Sequence, residues 1–191
     1  MLFTVLLDAN VIHSLPVCAA ILDLREYDLF AVKWSDMIFD EVKKSLLQRG
    51  KPFEKIEARL QKMDAAFPDA SVTEFQHLIS DMHLPDSKDR HVLAAAIACR
   101  AEQIVTNNVK DFPKNELQKY NIEAVTADTF LLNALELYPE LTIFTTRLRA
   151  TKLTKPAIGV TGILKAIRES GAPLFSAALA ESMETMRGKI S

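Results

Sequence analysis

An α/β fold is what this sequence predicts: a three-layer α/β/α arrangement with a central, mainly parallel sheet, followed by a short helical C-terminal extension. Three observations predict it. The chain opens on a short, continuously apolar run, Phe3-Thr4-Val5-Leu6-Leu7, of the kind that forms a strand buried on both faces. Similar runs at 29–34, 103–106 and 122–125 alternate with segments of helical periodicity, a pattern that builds parallel sheets through right-handed crossovers. With only 5 glycines and 8 prolines in 191 residues, neither a turn-rich β-sandwich nor a low-complexity linker fits.

Each element has a local reason. The first strand runs from residue 2 to Leu7 and stops on Asp8-Ala9-Asn10, and residues 11–25 read as a helix. After the second strand, Ser35 is a good N-cap for a helix with Met37, Ile38, Val42, Leu46 and Leu47 on its apolar face. Arg49-Gly50-Lys51-Pro52 ends it with a C-terminal glycine and a following proline. Residues 55–67 form another amphipathic helix around Ile56, Leu60 and Met63, and residues 70–73 follow as a short strand. His83-Leu84-Pro85-Asp86 leads into a helix over 87–100, whose Ala94-Ala95-Ala96 run allows close packing on a sheet. The polar turn Asn107-Asn108-Val109-Lys110-Asp111 follows the third strand, and a helix over 128–137 follows the fourth. The α/β domain is expected to cover 1–140 and the helical extension 141–191. Within the extension, Ile163, Leu164, Ile167, Leu174, Phe175 and Leu179 predict two amphipathic helices hinged at Gly171-Ala172-Pro173.

Charge is unevenly distributed. Up to Phe144 there are 15 Lys and Arg against 22 Asp and Glu, and from Thr145 onward 8 against 3. An acidic body with a basic tail suits a metal pocket beside a surface that attracts polyanions, or simply a solvated basic helix end. Arg147, Arg149, Lys152 and Lys155 lie in a stretch without an acidic residue. No basic n-region precedes the first apolar run, and no stretch approaches the roughly 18 to 20 apolar residues of a membrane span. Cys18 and Cys99 sit in apolar helical contexts and read as buried thiols. A cytoplasmic protein with no membrane partner is the expectation.

Four carboxylates carry the chemistry. Asp8 ends the first strand, where open α/β sheets bind their ligands, although Asp there also caps helices. Asn10 adds a second oxygen-bearing side chain at the same strand end. Glu41 lies on the helix after the second strand, a place equally open to a solvated residue beside Asp40 and Lys44. Asp89 stands three residues after Asp86, as in a capping box, and the same geometry projects it toward the strand ends. Asp111 lies in the turn after the third strand, where Thr106 and Asn108 could reach the same pocket, or where it could accept locally from backbone. Carboxylates gathered in one pocket repel by about 4 kcal/mol per pair at ~4 Å and an effective dielectric of ~20. A divalent cation removes that repulsion. His13, His77, His83 and His91 show no zinc-ligand spacing, His91 reads as packing on its helix, and an all-oxygen set selects Mg²⁺ or Mn²⁺.

The stretches Leu6-Leu7-Asp8-Ala9-Asn10-Val11, Glu41 in its helix, Leu84-Pro85-Asp86-Ser87-Lys88-Asp89-Arg90-His91-Val92-Leu93-Ala94-Ala95-Ala96 and Ile104-Val105-Thr106-Asn107-Asn108-Val109-Lys110-Asp111-Phe112-Pro113 share an order and spacing. In these the chain resembles the PIN-domain ribonucleases, especially the VapC-type toxins of prokaryotic toxin–antitoxin pairs. Residues around Pro156, Ile163-Leu164-Lys165-Ala166-Ile167 and Phe175-Ser176-Ala177-Ala178-Leu179 resemble, more loosely, the helical C-terminal extension of one branch of them. Cys99-Arg100-Ala101-Glu102 lacks the glycine often found there. The resemblance implies a PIN-like fold and a Mg²⁺- or Mn²⁺-dependent ribonuclease. Asp8, Glu41, Asp89 and Asp111 would be its catalytic and metal-binding set, supported by Asn10, Thr106 and Asn108. It further implies RNA as substrate, a cognate antitoxin and a homodimer. A haloacid dehalogenase-type phosphatase would need a second Asp where this chain has Asn10. The remaining alternative is a PIN-like module that binds RNA or protein without cleaving.

Overall fold

The computed structural model describes residues 2–188. They form two compact units: the segment up to His13 with Leu29–Thr126, and Ser14–Asp28 with the segment from Ala127 onward. The division falls at 126/127 and is discontinuous in sequence, whereas the sequence reading ends its first domain at 140.

The first unit is built on four parallel strands, β1 (Thr4–Leu7), β2 (Ala31–Lys33), β3 (Gln103–Val105) and β4 (Glu123–Val125), in the order β2-β1-β3-β4. Val5 pairs with Val32 on one side and Gln103 on the other, and Ile104 pairs with Ala124. Val5, Leu6, Leu7, Val32, Ile104 and Val105 have no exposed surface, which explains why these strands read as unbroken apolar runs rather than alternating ones. Strand β2 lies on one side of β1 and β3 on the other, so the crossovers from β1 to β2 and from β2 to β3 run in opposite directions across the sheet. The carboxyl ends of β1 and β3 therefore flank the kind of crevice in which α/β sheets hold ligands.

Helices α1 (Ala9–His13) and α2 (Leu15–Arg25) replace the single helix expected over 11–25. The break is proline chemistry: Pro16 has no N–H to offer the Ile12 carbonyl one turn earlier. That carbonyl accepts from the Arg59 guanidinium instead. Helix α3 (Asp36–Gln48) starts as expected, with the Ser35 hydroxyl accepting from the Ile38 N–H at 3.3 Å. Gly50, at φ 72°, turns the chain out of it, while the Gly50 and Lys51 N–H groups close on the carbonyls of Leu47 and Leu46. Helix α4 (Phe53–Ala66) follows. The strand expected over 70–73 is a single parallel bridge, Trp34 to Ser71, because pairing stops after the Trp34 and Val72 amide bonds.

The helix expected over 87–100 begins as a 3-10 turn, Ser87–Asp89, and continues as α5 (Arg90–Ala98). Asp86 caps it, accepting from the Lys88 N–H at 2.9 Å. Arg100, at φ 54°, occupies the left-handed position after α5, which is why glycine is common at such a position. A 3-10 turn, Val109–Asp111, and the one-turn helix α6 (Lys114–Leu117) lead on to β4.

The second unit packs α2 with α7 (Ala127–Leu137), α8 (Pro139–Lys152), α9 (Gly159–Glu169) and α10 (Pro173–Gly188). Its core includes Val17, Ile21, Leu24, Leu131, Ile163, Ile167, Phe175 and Leu179. The two helices expected in the extension are α9 and α10. Leu174, expected on the apolar face, is 65% exposed while Phe175 is 1% exposed; neighbouring helix residues point about 100° apart and cannot share a face. Arg149 pairs with both oxygens of Asp23 and is committed to holding α8 on α2; Arg147, Lys152 and Lys155 are the exposed cations of that stretch. Tyr27 and Phe144 meet edge to face at 6.0 Å. Cys18 is buried, Cys99 half-buried, and among the described residues no disulfide joins them. No helix of the described residues is long and apolar enough to cross a membrane.

Candidate metal centre

The carboxyl end of β1 carries Asp8, which is 5% exposed and accepts three hydrogen bonds, leaving lone-pair capacity on Oδ1. Its Oδ1 accepts from the Ala9 N–H at 2.6 Å; its Oδ2 accepts from the Thr106 hydroxyl at 2.6 Å and the Asn10 amide at 2.5 Å. Thr106, completely buried at the end of β3, accepts in turn from the Asn10 amide and the Asn108 N–H, each at 3.0 Å. The Asn10 oxygen accepts from the Asn107 N–H at 2.9 Å. Asn10 and Thr106 thus brace Asp8 and tie the two strand ends together. Burial raises the Asp8 carboxyl above its ordinary range, opposed by the Thr106 and Ala9 bonds, reinforced by Glu41 and opposed again by His91.

Glu41 and Asp89 line the same cavity as Asp8, Asn10 and Asn108, a space of about 280 Å³. Glu41 reaches it from α3 and is held there by His91, whose Nε2 lies 3.0 Å from its Oε1. A carboxylate can only accept, so Nε2 donates. The imidazole is 4% exposed, and its Nδ1 has no partner among the described residues. In the sequence His91 reads as a packing residue of its helix. Its partner is 50 positions away, and no local pattern announces the pair.

Asp89 closes the 3-10 turn before α5. Burial, then the charges of Asp8, Asp86, Asp111 and Glu41, push its carboxyl from 3.8 to about 6. Asp111 lies half-buried in its own turn, its N–H bonded to the Asn108 carbonyl at 2.9 Å. It is felt by Asp89 but is not part of the cavity wall. Among the described residues, no three His, Cys, Asp or Glu side chains converge closely enough to enclose a metal ion by themselves. The donor set nevertheless fits a hard cation held by few protein ligands. The groups are oxygen donors, and Asp8 and Asp89 are held against burial and mutual repulsion that a positive charge would relieve. Mg²⁺ commonly uses one or two carboxylates and keeps its waters.

A prediction follows from Asp89 in metal-free protein. Its proton is held more tightly folded than unfolded, so its contribution makes the fold more stable as pH falls from about 6 toward 3.8. Above pH 6 the charged cluster costs its full amount. With chelator present, Asp89→Asn should raise stability above pH 6 by about 1 kcal/mol after solvent screening, and the gain over wild type should shrink toward pH 4. Denaturant titrations of both proteins across that range check it. A variant less stable than wild type at pH 7 would show that the Asp89 carboxylate supports the fold.

The remaining wall is cationic and polar: His13 from the end of α1, and Ser45 and Arg49 from α3. The spacing of Glu41, Ser45 and Arg49, four residues apart, could have revealed this face, since such residues share one side of a helix.

Comparison with known proteins fits this arrangement. The PIN domain family matches residues 4–110, and the chain belongs to that family. The VapC50 C-terminal domain family matches residues 127–181. Over 55 residues the chain is 58% identical to the protein named "Putative ribonuclease VapC50" of Mycobacterium tuberculosis, a stretch covering 29% of this chain and 32% of that relative. No solved structure matches the chain significantly.

Proposed function

We infer that the chain is a divalent-metal-dependent ribonuclease that hydrolyses RNA phosphodiester bonds, and that it is the toxin of a type II toxin–antitoxin pair. The observation that carries this reading is the gathering of Asp8, Glu41 and Asp89 around one cavity at the ends of β1 and β3, within a PIN domain. The partial likeness to the VapC50 protein and the match of its C-terminal domain family support the toxin assignment. The cognate antitoxin, the homodimer and single-stranded or looped RNA as substrate belong to the same proposal.

In this reading Asp8 is the central ligand, Asp89 shares the ion, and Glu41 binds the ion or orients water. Asp111, outside the cavity wall, joins the set through its charge beside Asp89. A bound Mg²⁺ or Mn²⁺ would neutralise charge on the phosphodiester and activate water for in-line attack. The chain's own residues supply the preorganisation. Thr106 and Asn10 fix both the position and the rotamer of Asp8. His91 keeps Glu41 aimed at the cavity. Outer-shell partners of this kind typically account for 10–100-fold in metal affinity or activity.

The test uses the full chain stripped with chelator, mixed single-stranded RNA, and restored Mg²⁺ or Mn²⁺. Cleavage should appear only with metal, and Mn²⁺ binding should be detectable by electron paramagnetic resonance without RNA. Binding of RNA without cleavage under every metal condition would replace the ribonuclease with a binding module. Cleavage indifferent to chelator would remove the metal.

A further inference from the structure

We propose that Arg49, with Ser45 and His13, forms a subsite for a backbone phosphate of a single-stranded RNA, one other than the phosphate being cut. The inference rests on the ribonuclease reading and adds where the strand is held. Glu41, Ser45 and Arg49 all line the same cavity from one face of α3. Eight residues of helix separate the first from the last, about 12 Å along the axis at 1.5 Å per residue. On that spacing Arg49 takes a phosphate next along the strand from the one at the carboxylates.

The charge pattern gives the subsite its purpose. A polyanionic strand approaching Asp8, Glu41 and Asp89 meets like charge on its flanking phosphates, which a cation at the carboxylates does not reach. Arg49 supplies the opposite sign in the same cavity. Among the described residues its guanidinium has no hydrogen-bond or ion-pair partner, whereas the neighbouring Arg59 is spent on the Ile12 carbonyl. An arginine that served only the carbonyl end of α3 would be explained by the helix dipole. Arg49 instead forms part of the cavity wall. The backbone holds it there: Arg49 is the C-cap of α3, and its N–H bonds to the carbonyls of Ser45 and Leu46 before Gly50 turns the chain away.

His13 reports the local field. Burial lowers its pKa, and the charges of Arg49 and Arg59 lower it further, so this end of the cavity is electropositive although three carboxylates line the other. The His13 Nε2 has no partner among the described residues. A planar guanidinium beside a hydroxyl and an imidazole suits tetrahedral phosphate oxygens.

The experiment measures binding of short single-stranded oligoribonucleotides by the full chain in Mg²⁺, in an Asp8→Asn background so that the strand stays whole. Arg49→Gln should weaken binding uniformly across sequences and reduce the slope of log K against log salt by about 0.7, the value for one phosphate of a single strand. Replacing linkages one at a time with neutral methylphosphonate should identify one flanking position whose loss matches that of Arg49→Gln. Combining the two should cost no more than either alone. An unchanged salt slope, or losses that add at every linkage, overturns the subsite. If metal-dependent cleavage by the Arg49-containing wild type persists in that case, the ribonuclease reading survives. Absence of both RNA binding and cleavage in wild type overturns both.

Discussion

Asp8→Asn is expected to lower metal-dependent RNA cleavage by more than about 100-fold while leaving the protein folded. The magnitude comes from comparison with the groups behind it, since partners that only orient a ligand already account for about 10–100-fold. Asp8 stands in front of such partners, with Thr106 and Asn10 donating to one of its oxygens and the Ala9 N–H to the other. Asparagine keeps the shape but has one oxygen. Its NH₂ must face either the Ala9 N–H or the Thr106–Asn10 pair. Leaving a buried donor unmet costs about 1–3 kcal/mol. Removing a buried charge works in the other direction. The two effects oppose, so the melting temperature should move little while cleavage collapses. Thr106→Val should fall between, losing about 10–100-fold because the carboxylate remains and its brace does not. Cleavage by Asp8→Asn at the wild-type rate would remove Asp8 from the site.

Asp128→Ala should cost about 3 kcal/mol of stability, the largest loss expected from a single polar side chain in the second unit. Asp128 is 8% exposed at the start of α7, yet its carboxylate serves another helix. Oδ1 accepts from the Phe175 N–H at 2.7 Å and Oδ2 from the Leu174 N–H at 3.1 Å. These are first-turn amides of α10, which no helix carbonyl can satisfy. Alanine at 172 has no side-chain acceptor to cap them, so the cap comes from 46 residues earlier. Hydrogen bonds to a charged group contribute about 1.5–3 kcal/mol each, less than additively when shared by one carboxylate. Chemical denaturation of the full chain should show the loss. At about 2–4 °C per kcal/mol for a chain of this size, heating should show it as roughly 6–12 °C. Asp128→Asn, which keeps one acceptor, should lose less than half as much. A change below ~0.5 kcal/mol for the alanine variant would mean that water caps α10 equally well.

Asp128 also marks where sequence reading stops. An aspartate in a first turn is read as serving its own helix, and nothing near position 128 points to position 174. The same holds for His91 and Glu41, which meet only because α3 and α5 are brought together. What the sequence does carry is local. The apolar run of β1 and its end on Asp8 are legible because a strand buried on both faces has no polar residue until it leaves the sheet. The Ser35 cap and the Gly50 stop are legible because their chemistry lies within four residues. In the sequence, the alternation of strands and helices allows Asp8, Glu41 and Asp89 to share a pocket. Each also reads as a cap or a solvated carboxylate, and only the PIN resemblance groups them. Asp111, in a separate turn, approaches the cavity without lining it. The break at Ser14 is signalled by Pro16, although the apolar pattern runs on through it.

The ion pair between Asp23 and Arg149 joins residues 126 positions apart, and it shows that α2 waits for the far end of its own chain. Val17, Ile21 and Leu24 lie near the beginning of the sequence but belong to the unit completed from Ala127 onward. During synthesis this helix leaves the ribosome more than a hundred residues ahead of its partners. Its apolar side must stay solvated or chaperoned until they arrive, a delay that exposes hydrophobic surface in the nascent chain. Deleting the C-terminal helices would not trim an accessory. It would leave an early helix permanently without its cover, and a shortened protein that aggregates would report on this helix rather than on any task of the missing segment.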